Sequence, residues 1–526
     1  MSTNTSTSIT PQENWSRITG ESFIKALNGE KIKDARGKEF TFNKLGNRIK
    51  IDKVIVSSDI KIFDLEIGEI VISENCVFEK KFNFYNLKVD KLDIKGGIFK
   101  ERVSISNGKG DLNLTISGGT FKKELWSSVS FSGFKISGGS FSAITLYKVQ
   151  IKNDFIISGG TFDGVFRVSR SYLEKDFRIE KGTFKKKLAL IDGKFNRILI
   201  KNQFSASAKV DVISIKSLNL SINFNAELEI EKAEINELLF RGSFSASARC
   251  RIKKISFQNL IFKEVINEGD LSFHDCEKLA KSDNFTVDGG LISLINSELG
   301  KLSFFNTDLP KFEEFQISGC NLLNVRTIDQ HIPLATQKGN LFFTHFVKNK
   351  KSQKPSSLSE TYNQLHLAMQ KSGNKDWEDK YYGEFMHWRL KGLAQQNKQV
   401  VKEAWNKKKP RVLKSLRSMN QVLLWLNKVS NRFSQSWSRG FASTIVISII
   451  LYLLYYANLC RNEEVSIAEH LGNWVRFVNP THKFNFMVEA EKPTGKWSYF
   501  IDGVSRVLIS FFIYQTVAAS RRFGKA

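Results

Sequence analysis

Cysteine is scarce in this chain of 526 residues, which contains only five. The five are an odd number, lie far apart and show no Cys-x-x-Cys spacing, which excludes a disulfide framework and a zinc-finger type of site. A reducing compartment is therefore expected. The N-terminus also lacks a basic segment followed by an apolar run. We therefore expect no secretory signal peptide, and a cytoplasmic location for the residues that precede any membrane segment.

Motifs for catalysis or cofactor binding are also missing. His274, Asp275 and Cys276 are adjacent, but neighbours on a strand point to opposite faces and cannot converge on one substrate. Carbohydrate-cleaving β-helices need clustered carboxylates in a groove, which this sequence does not offer. We expect no enzymatic activity, no cofactor and no metal site.

Acidic residues are the minority. The chain carries 79 Lys and Arg against 53 Asp and Glu, a formal net charge of +26. The excess is concentrated in residues 346–440, which hold 20 basic and 6 acidic side chains just before an apolar run. A strongly basic chain acts near a negatively charged partner, and anionic lipid and nucleic acid are the two candidates.

The dominant feature that is present is a repeat. The hexapeptide ISGGTF occurs at 116–121 and 157–162, with ISGGSF between them at 136–141. The closing aromatic recurs every 20 to 22 residues, at Phe78, Phe99, Phe121, Phe141, Phe162, Phe184, Phe204, Phe224 and Phe244. Short alternating apolar runs bounded by Gly, Ser and Asn indicate strands and tight turns. The period predicts a β-solenoid, a parallel β-helix of about 13 coils with Gly-Gly at a corner and the Phe ladder inside.

One stretch places an apolar residue at every fifth position: Phe121, Trp126, Phe131, Ile136, Phe141, Leu146, Ile151 and Ile156. In this spacing the chain resembles the pentapeptide-repeat proteins, whose four-sided coils carry one inward side chain per face. A short amphipathic helix predicted within 16–32 would cap the first coil. We assign 1–49 as an N-terminal cap and 50–333 as the β-solenoid.

Helical patterns replace the repeat after residue 333. Two apolar stripes predict an antiparallel helical hairpin over 334–397, with a capping box at Ser357 and Glu360 and a stop at Gly373. The stripes consist of Leu358, Tyr362, Leu365 and Met369, then Trp377, Tyr381, Phe385 and Trp388. The basic segment 398–439 is interrupted by Trp and Leu, which is typical of a helix lying on an anionic leaflet. Its predicted lipid-binding residues are Lys407, Lys408, Lys409, Arg411, Lys414 and Arg417.

The last segment, 440–526, is predicted to be a transmembrane hairpin. Residues 441–459 carry no charge and would span about 28 Å as a helix, enough for the hydrocarbon core. Residues 500–519 are long enough but include Asp502 and Arg506. Basic residues flank both spans, whereas the loop 460–495 between them is nearly balanced in charge. The loop is therefore external, and both termini face the cytoplasm.

The second span has a polar stripe, and two interpretations of it stay open. Asp502 and Arg506 are four residues apart and can pair at the membrane boundary. Alternatively, several copies of the chain surround a pore, with Ile509 and Ile513 as an apolar gate. The pore-lining or gate residues would then be Asp502, Arg506, Ile509, Ser510, Ile513 and Thr516.

The ending FIDGVSRVLISFFIYQTVAASRRFGK resembles the last segment of bacterial pentapeptide-repeat proteins with a two-helix, channel-like membrane domain. The stretch 362–390 is similar to a helical hairpin that often follows such repeats in bacterial membrane proteins. The resemblance implies an inner-membrane protein with a cytoplasmic solenoid sensor and an oligomeric pore or membrane-disrupting domain, in a stress or anti-phage context. Its partners would be anionic lipid, further copies of the chain and an unidentified cytoplasmic macromolecule bound to the solenoid.

Two other classes of function remain. In the first, the protein is a non-conducting scaffold, tethered to the membrane, that presents the solenoid to cytoplasmic proteins. In the second, which the sequence favours least, the basic segment holds nucleic acid near the membrane.

Overall fold

The computed structural model describes residues 14–108, 111–201, 203–204, 207–280, 289–347, 350–407, 412–433, 435–459, 466–482 and 497–523. The chain forms two compact units, Met1–Phe343 and Thr344–Ala526. The first unit is a parallel β-solenoid of about 12 turns, close to the predicted 13. Equivalent residues of neighbouring coils pair side by side, as Phe121 does with Phe141 and Phe141 with Phe162. The predicted fold class is therefore confirmed.

The solenoid forms a 35-stranded sheet. Its pairings are parallel throughout the described strands, apart from the antiparallel pair Asn43–Leu45 and Arg48–Ile51. In chain order the strands are Ser16–Ile18, Asn43–Leu45, Arg48–Ile51, Val54–Val56, Ile60–Phe63, Glu66–Ile72, Cys76–Phe78, Phe82–Tyr85, Lys88–Ile94, Ile98–Phe99, Val103–Ser106, Leu112–Ile116, Thr120–Ser127, Phe131–Ile136, Ser140–Tyr147, Gln150–Ile151, Phe155–Phe162, Phe166–Ser169, Tyr172–Phe184, Leu188–Ile191, Lys194–Ile200, Gln203–Phe204, Ala208–Asp211, Ser214–Phe224, Glu227–Glu231, Glu234–Phe244, Arg249–Lys253, Ser256–Asn267, Asp270–His274, Glu277–Lys278, Leu291–Ile295, Lys301–Phe305, Glu314–Ser318, Arg326–Ile328 and Leu341–Phe343. Two hairpins stand apart from this sheet, Ile32–Lys33 with Glu39–Phe40 and His345–Val347 with Lys350–Ser352, and Leu309–Lys311 forms a 3₁₀ turn.

The Gly-Gly pair of the hexapeptide forms a corner in which each glycine has its own role. A Cβ on Gly138 would lie less than 3.0 Å from the carbonyl oxygen of Ser117 in the preceding coil, closer than real Cβ atoms come. Gly139 has φ +96° and its equivalent Gly160 has φ +98°, a backbone conformation that side chains disfavour. The first glycine therefore permits the close stacking of coils, and the second permits the turn.

The Phe ladder fills the interior next to this corner. The rings of Phe121 and Phe141 stack at 4.9 Å between centroids, and those of Phe141 and Phe162 at 5.2 Å, with interplanar angles of 13° and 10°. Two positions of the five-residue series do not point inward: Trp126 and Ile156 are only half-buried, and Leu125, like Phe155, is fully buried instead. Side chains alternate on a strand, so strand register rather than a strict five-residue step decides which residue enters the core.

Helix α1, Gly20–Leu27, caps the first coils as predicted. Thr19 is its N-cap and accepts a hydrogen bond from the Ser22 amide. Phe23 is fully buried and makes edge-to-face contacts with Phe78 and Phe82, at 6.0 and 5.9 Å between centroids. The helix therefore covers the end of the aromatic interior that would otherwise meet water.

Among its described residues, the second unit contains six helices: α2 Pro355–Ser372, α3 Lys375–Lys407, α4 Val412–Asn431, α5 Trp437–Ala457, α6 Ile467–Val478 and α7 Ser498–Phe523. Helices α2 and α3 form an antiparallel hairpin in which Tyr362 lies 5.9 Å from Tyr381 between ring centroids. Gly373 ends α2 in the left-handed conformation, as predicted. The capping-box prediction is wrong, because α2 begins at Pro355 and Ser357 lies inside its first turn.

The helix bounds differ from the predicted segments in two places. Helix α3 continues to Lys407, so the basic segment 398–439 is shared between α3, α4 and the start of α5. Helix α6 lies within 460–495, where the sequence predicted only an external loop.

Candidate functional site

Helices α5 and α7 are each long and apolar enough to cross a membrane. The apolar helices are Trp437–Ala457 and Ser498–Arg521, in which an 18-residue window reaches a mean hydropathy of 1.9 and 1.3, respectively. Only 28% of the most apolar stretch of each helix is buried inside the protein. A core helix of a soluble protein passes the same test of length and composition but is mostly buried, whereas these two helices are mostly exposed in the single chain.

The seam between α5 and α7 consists of small and hydroxyl-bearing residues. Gly440, Thr444 and Ser448 recur every four residues on α5 and are buried. The hydroxyl oxygen of Thr444 lies 3.2 Å from the hydroxyl oxygen of Thr516 on α7. A Cβ on Gly440 would lie 3.0 Å from this Thr516 oxygen. Thr444 also donates to the Gly440 carbonyl at 2.9 Å, so its hydroxyl is not left without a partner. Small residues with satisfied hydroxyls allow the close helix approach that is typical of membrane helix pairs.

The outer faces of the same helices are apolar. Phe441, Leu453 and Val507 are 55%, 56% and 70% exposed. Of the 30 large apolar side chains that are exposed among the described residues, 21 lie between Met419 and Val517. The outer faces of a water-soluble helix pair expose mainly polar side chains, whereas the outer faces of this pair expose mainly large apolar ones.

A buried charge cluster occupies the start of α7. Asp502 is completely buried, and its two carboxylate oxygens contact different partners. Oδ1 lies 2.8 Å from His482 Nε2, and Oδ2 accepts a hydrogen bond from the Arg506 guanidinium at 3.2 Å. The pairing of Asp502 with Arg506, one of the two predicted interpretations, is thus present within a single chain. His482 was missed, because its position 20 residues before Asp502 follows no regular spacing.

The six predicted pore residues do not share one surface of the single chain. Ile509 is 1% exposed and packs with Tyr452, Tyr455 and Phe477. Ile513 lies against the same cluster, Thr516 lies in the α5–α7 seam, Arg506 is 20% exposed, and Ser510 is exposed. A pore built from several copies therefore stays a prediction that the geometry of one chain does not test.

Helix α6 packs against α5 through a side that includes His470, Trp474 and Phe477. The Trp474 indole N–H donates to the Ser448 hydroxyl at 3.1 Å, and His470 Nδ1 lies 3.1 Å from the Tyr452 hydroxyl. Phe477 is fully buried. A capping box formed by Ser466 and Glu469 starts the helix, and this spacing was the sequence signal that could have revealed it.

Helix α4 has an exposed apolar face and a buried end. Its exposed residues are Met419, Val422, Leu423, Trp425 and Val429. Asn431, at its C-terminus, donates to the Gln515 carbonyl on α7 at 2.9 Å, which connects α4 to the α5–α7 pair. Of the predicted lipid-binding residues, Lys408, Lys409 and Arg411 lie outside the described residues. Lys407, Lys414 and Arg417 lie on α3 and α4, but their side chains are likewise outside them.

Family models, curated proteins and solved structures give no match to this chain. The functional assignment therefore depends on the geometry above.

Three further titratable groups, His387, Cys276 and His274, lie in packed environments. Burial lowers the pKa of His387 to about 4, and its ring contacts Trp388 edge-to-face. Burial raises the pKa of the Cys276 thiol to about 12, whereas His274 stacks on Phe305. Within the described part of the chain, no three His, Cys, Asp or Glu side chains form a group that could hold a metal ion.

Proposed function

We propose that the chain is a bacterial inner-membrane protein of the pentapeptide-repeat type. Its β-solenoid is cytoplasmic, and its α5–α7 domain oligomerises into an ion-permeable or membrane-disrupting unit. The observation that carries the membrane assignment is the set of large apolar side chains on the outer faces of α5 and α7, together with a seam in which glycine and hydroxyl-bearing residues lie beside Tyr452 and Ile509. Lipid is the solvent in which this arrangement is stable.

The orientation follows from the basic residues at the membrane boundaries. Arg432 precedes α5, Arg439 lies in the first turn of α5, and Arg521 lies in the last turn of α7. Positively charged flanks remain on the cytoplasmic side, so both termini and the solenoid face the cytoplasm.

Helix α4 supports a role for anionic lipid as a partner. Its exposed apolar face, which includes Leu423 and Trp425, can enter the leaflet while basic side chains meet the headgroups. Each cation near an anionic surface contributes about 1 kcal/mol. Nucleic acid binding would leave this apolar face in water, which disfavours the nucleic-acid hypothesis.

Two helices cannot enclose a pore, so conduction requires several copies of the chain. In one chain, Asp502 and Ile509 face the chain's own helices. Opening therefore requires α7 to exchange these contacts for contacts with neighbouring copies. We propose that a cytoplasmic macromolecule bound to the solenoid triggers this exchange, in a stress or anti-phage setting that rests on analogy with the resembling proteins.

The closed seam favours one second candidate, a non-conducting scaffold. Asp502 is contacted by both His482 and Arg506 within the chain, so the membrane domain has a self-contained packing. Such a domain could serve as an anchor alone, holding the solenoid where cytoplasmic proteins can bind it.

Conductance of the purified full chain in planar bilayers distinguishes the two. We expect Ile509→Asn and Ile513→Asn to raise the conductance, because polar side chains ease the wetting of an apolar gate. Val507→Asn is the matched control, since Val507 is 70% exposed on the outer face of the same helix. In cells, induced expression should depolarise the membrane, and a chain truncated before Phe441 should not. Absence of current from all variants would favour the scaffold.

A further inference from the structure

We propose that α6 is an interfacial helix embedded in the leaflet distal to the termini, with the apolar flank Ile467, Leu471 and Val475 against lipid acyl chains. This inference rests on the proposed membrane function. It changes the external loop from a solvated connection into a fourth lipid-contacting element, in addition to α4, α5 and α7.

The apolar flank is the first observation. Ile467, Leu471 and Val475 are spaced four residues apart and are 89%, 61% and 59% exposed. Residues four apart lie on one side of a helix, so the three side chains form a continuous stripe. Large apolar side chains exposed as a stripe indicate contact with an apolar medium or partner.

The arrangement of the other residues identifies the medium. At 100° per residue, α6 has three distinct sides. His470, Trp474 and Phe477 form the side that packs on α5, and the apolar stripe forms a second side. Glu469 and Arg476, the two charged residues of the helix, lie on the third. A helix with protein on one side, an apolar flank on another and charges on the third matches the boundary between hydrocarbon and water.

The depth of α6 agrees with this position. Trp474 contacts Ser448, nine residues before the end of α5, and His470 contacts Tyr452, five residues before it. At about 1.5 Å per residue these contacts lie about 14 and 8 Å inside the end of α5. Half of a hydrocarbon core is about 15 Å, so α6 lies beside the distal half of the span. Leu453 and Leu454 of α5 flank this contact and are also exposed, which extends the apolar surface around α6.

Spin labelling of the full chain in proteoliposomes tests the inference. Nitroxides are attached to Leu471→Cys and Val475→Cys, with Ile450→Cys on the exposed face of α5 as the lipid reference and Arg476→Cys on α6 as the matched control. Cys320 and Cys460 are first replaced by Ser, while Cys76, Cys250 and Cys276 are buried, which raises the pKa of each thiol and keeps it unlabelled.

We expect labels at 471, 475 and 450 to collide more often with oxygen than with a water-soluble nickel chelate, and the label at 476 to show the reverse. Preference for the chelate at 471 and 475, with oxygen preferred at 450, would overturn the inference and leave the membrane domain intact. Preference for the chelate at all four positions would overturn the proposed membrane function itself. Low access of both reagents at 471 and 475 would show a protein partner there and also reject the inference.

Discussion

Asp502→Asn is expected to loosen the packing of α6 and α7, because one carboxylate serves two partners. His482 Nε2 lies 2.8 Å from Oδ1 and the Arg506 guanidinium lies 3.2 Å from Oδ2. Removing one partner of a buried ion pair costs about 3–5 kcal/mol. The Arg506 side chain is 20% exposed, so we expect a value near the low end, about 3 kcal/mol.

Hydrogen exchange of the full chain in detergent, read by mass spectrometry, measures this effect locally. A loss of about 3 kcal/mol corresponds to exchange about 100-fold faster in peptides from α6 and α7. Peptides from the solenoid serve as an internal reference that should not change. Ser510→Ala is the matched control, since Ser510 is exposed two turns farther along the same helix.

A double-mutant cycle separates the ion pair from other effects of the substitution. Asp502→Asn and Arg506→Met combined should be less destabilising than the sum of the two, because a neutral pair leaves no buried charge behind. Additive effects, or exchange in α6 and α7 that Asp502→Asn leaves unchanged, would refute the assignment of Asp502 as the shared partner.

Four further predictions concern the solenoid, the hairpin and lipid binding. Gly138→Ala should destabilise its coil by about 1–3 kcal/mol through overpacking, whereas Gly133→Ala, whose nearest neighbour would be 3.9 Å away, should be almost neutral in the same exchange measurement. Phe141→Ala should cost about 3–5 kcal/mol in denaturant unfolding, because it leaves a cavity in the ladder. The folded pKa of His387, about 4, lies below the ordinary 6.5, so the stability of the α2–α3 hairpin should fall as pH drops from 6.5 to 4, and His387→Gln should flatten that slope. Binding to anionic vesicles should weaken by about 1 kcal/mol per charge, and more at low salt, when Gln replaces Lys407, Lys408, Lys409, Arg411, Lys414 and Arg417.

Each of these predictions has a result that contradicts it. Equal exchange in the Gly138 and Gly133 variants would show that the corner does not require close stacking. A small effect of Phe141→Ala would mean that the ladder collapses around the missing ring. If unfolding of the hairpin does not depend on pH, the folded state does not hold His387 as a buried neutral imidazole. If the affinity for vesicles changes neither with salt nor with the loss of these charges, the apolar face of α4 accounts for the binding.

Much of the solenoid was predictable, because the spacing of the repeated residues in the sequence gives the length of each coil. The pairing of Phe121 with Phe141 follows directly from 20-residue spacing. The inward position of Leu125 in place of Trp126 was not predictable from that spacing, since strand register depends on how each corner turns. A periodic sequence therefore fixes which residues stack, and the corners decide which side chains enter the core.

The candidate site was predictable only in its outline. Asp502 and Arg506 were identified because charge inside an apolar run is conspicuous. His482 is contributed by a non-helical segment whose contacts depend on tertiary structure alone. The seam of Gly440, Thr444 and Ser448 has a four-residue spacing that a search for small residues could have detected. Helix α6 was missed for two reasons. It is only 12 residues long, which is too short for a membrane span, and it carries apolar residues on two sides.

The Gly-Gly corner has a consequence for how such a rod can change in size. At the stacked corners Gly118–Gly119, Gly138–Gly139 and Gly159–Gly160, neighbouring coils meet through the same close backbone contacts, so a copied or deleted coil of matching length there preserves the junctions on both sides of it. This part of the solenoid can therefore be lengthened or shortened by whole coils, and each coil changes its length by about 4.8 Å. Variants with one coil added or removed would test whether the activity of the protein requires a particular number of coils.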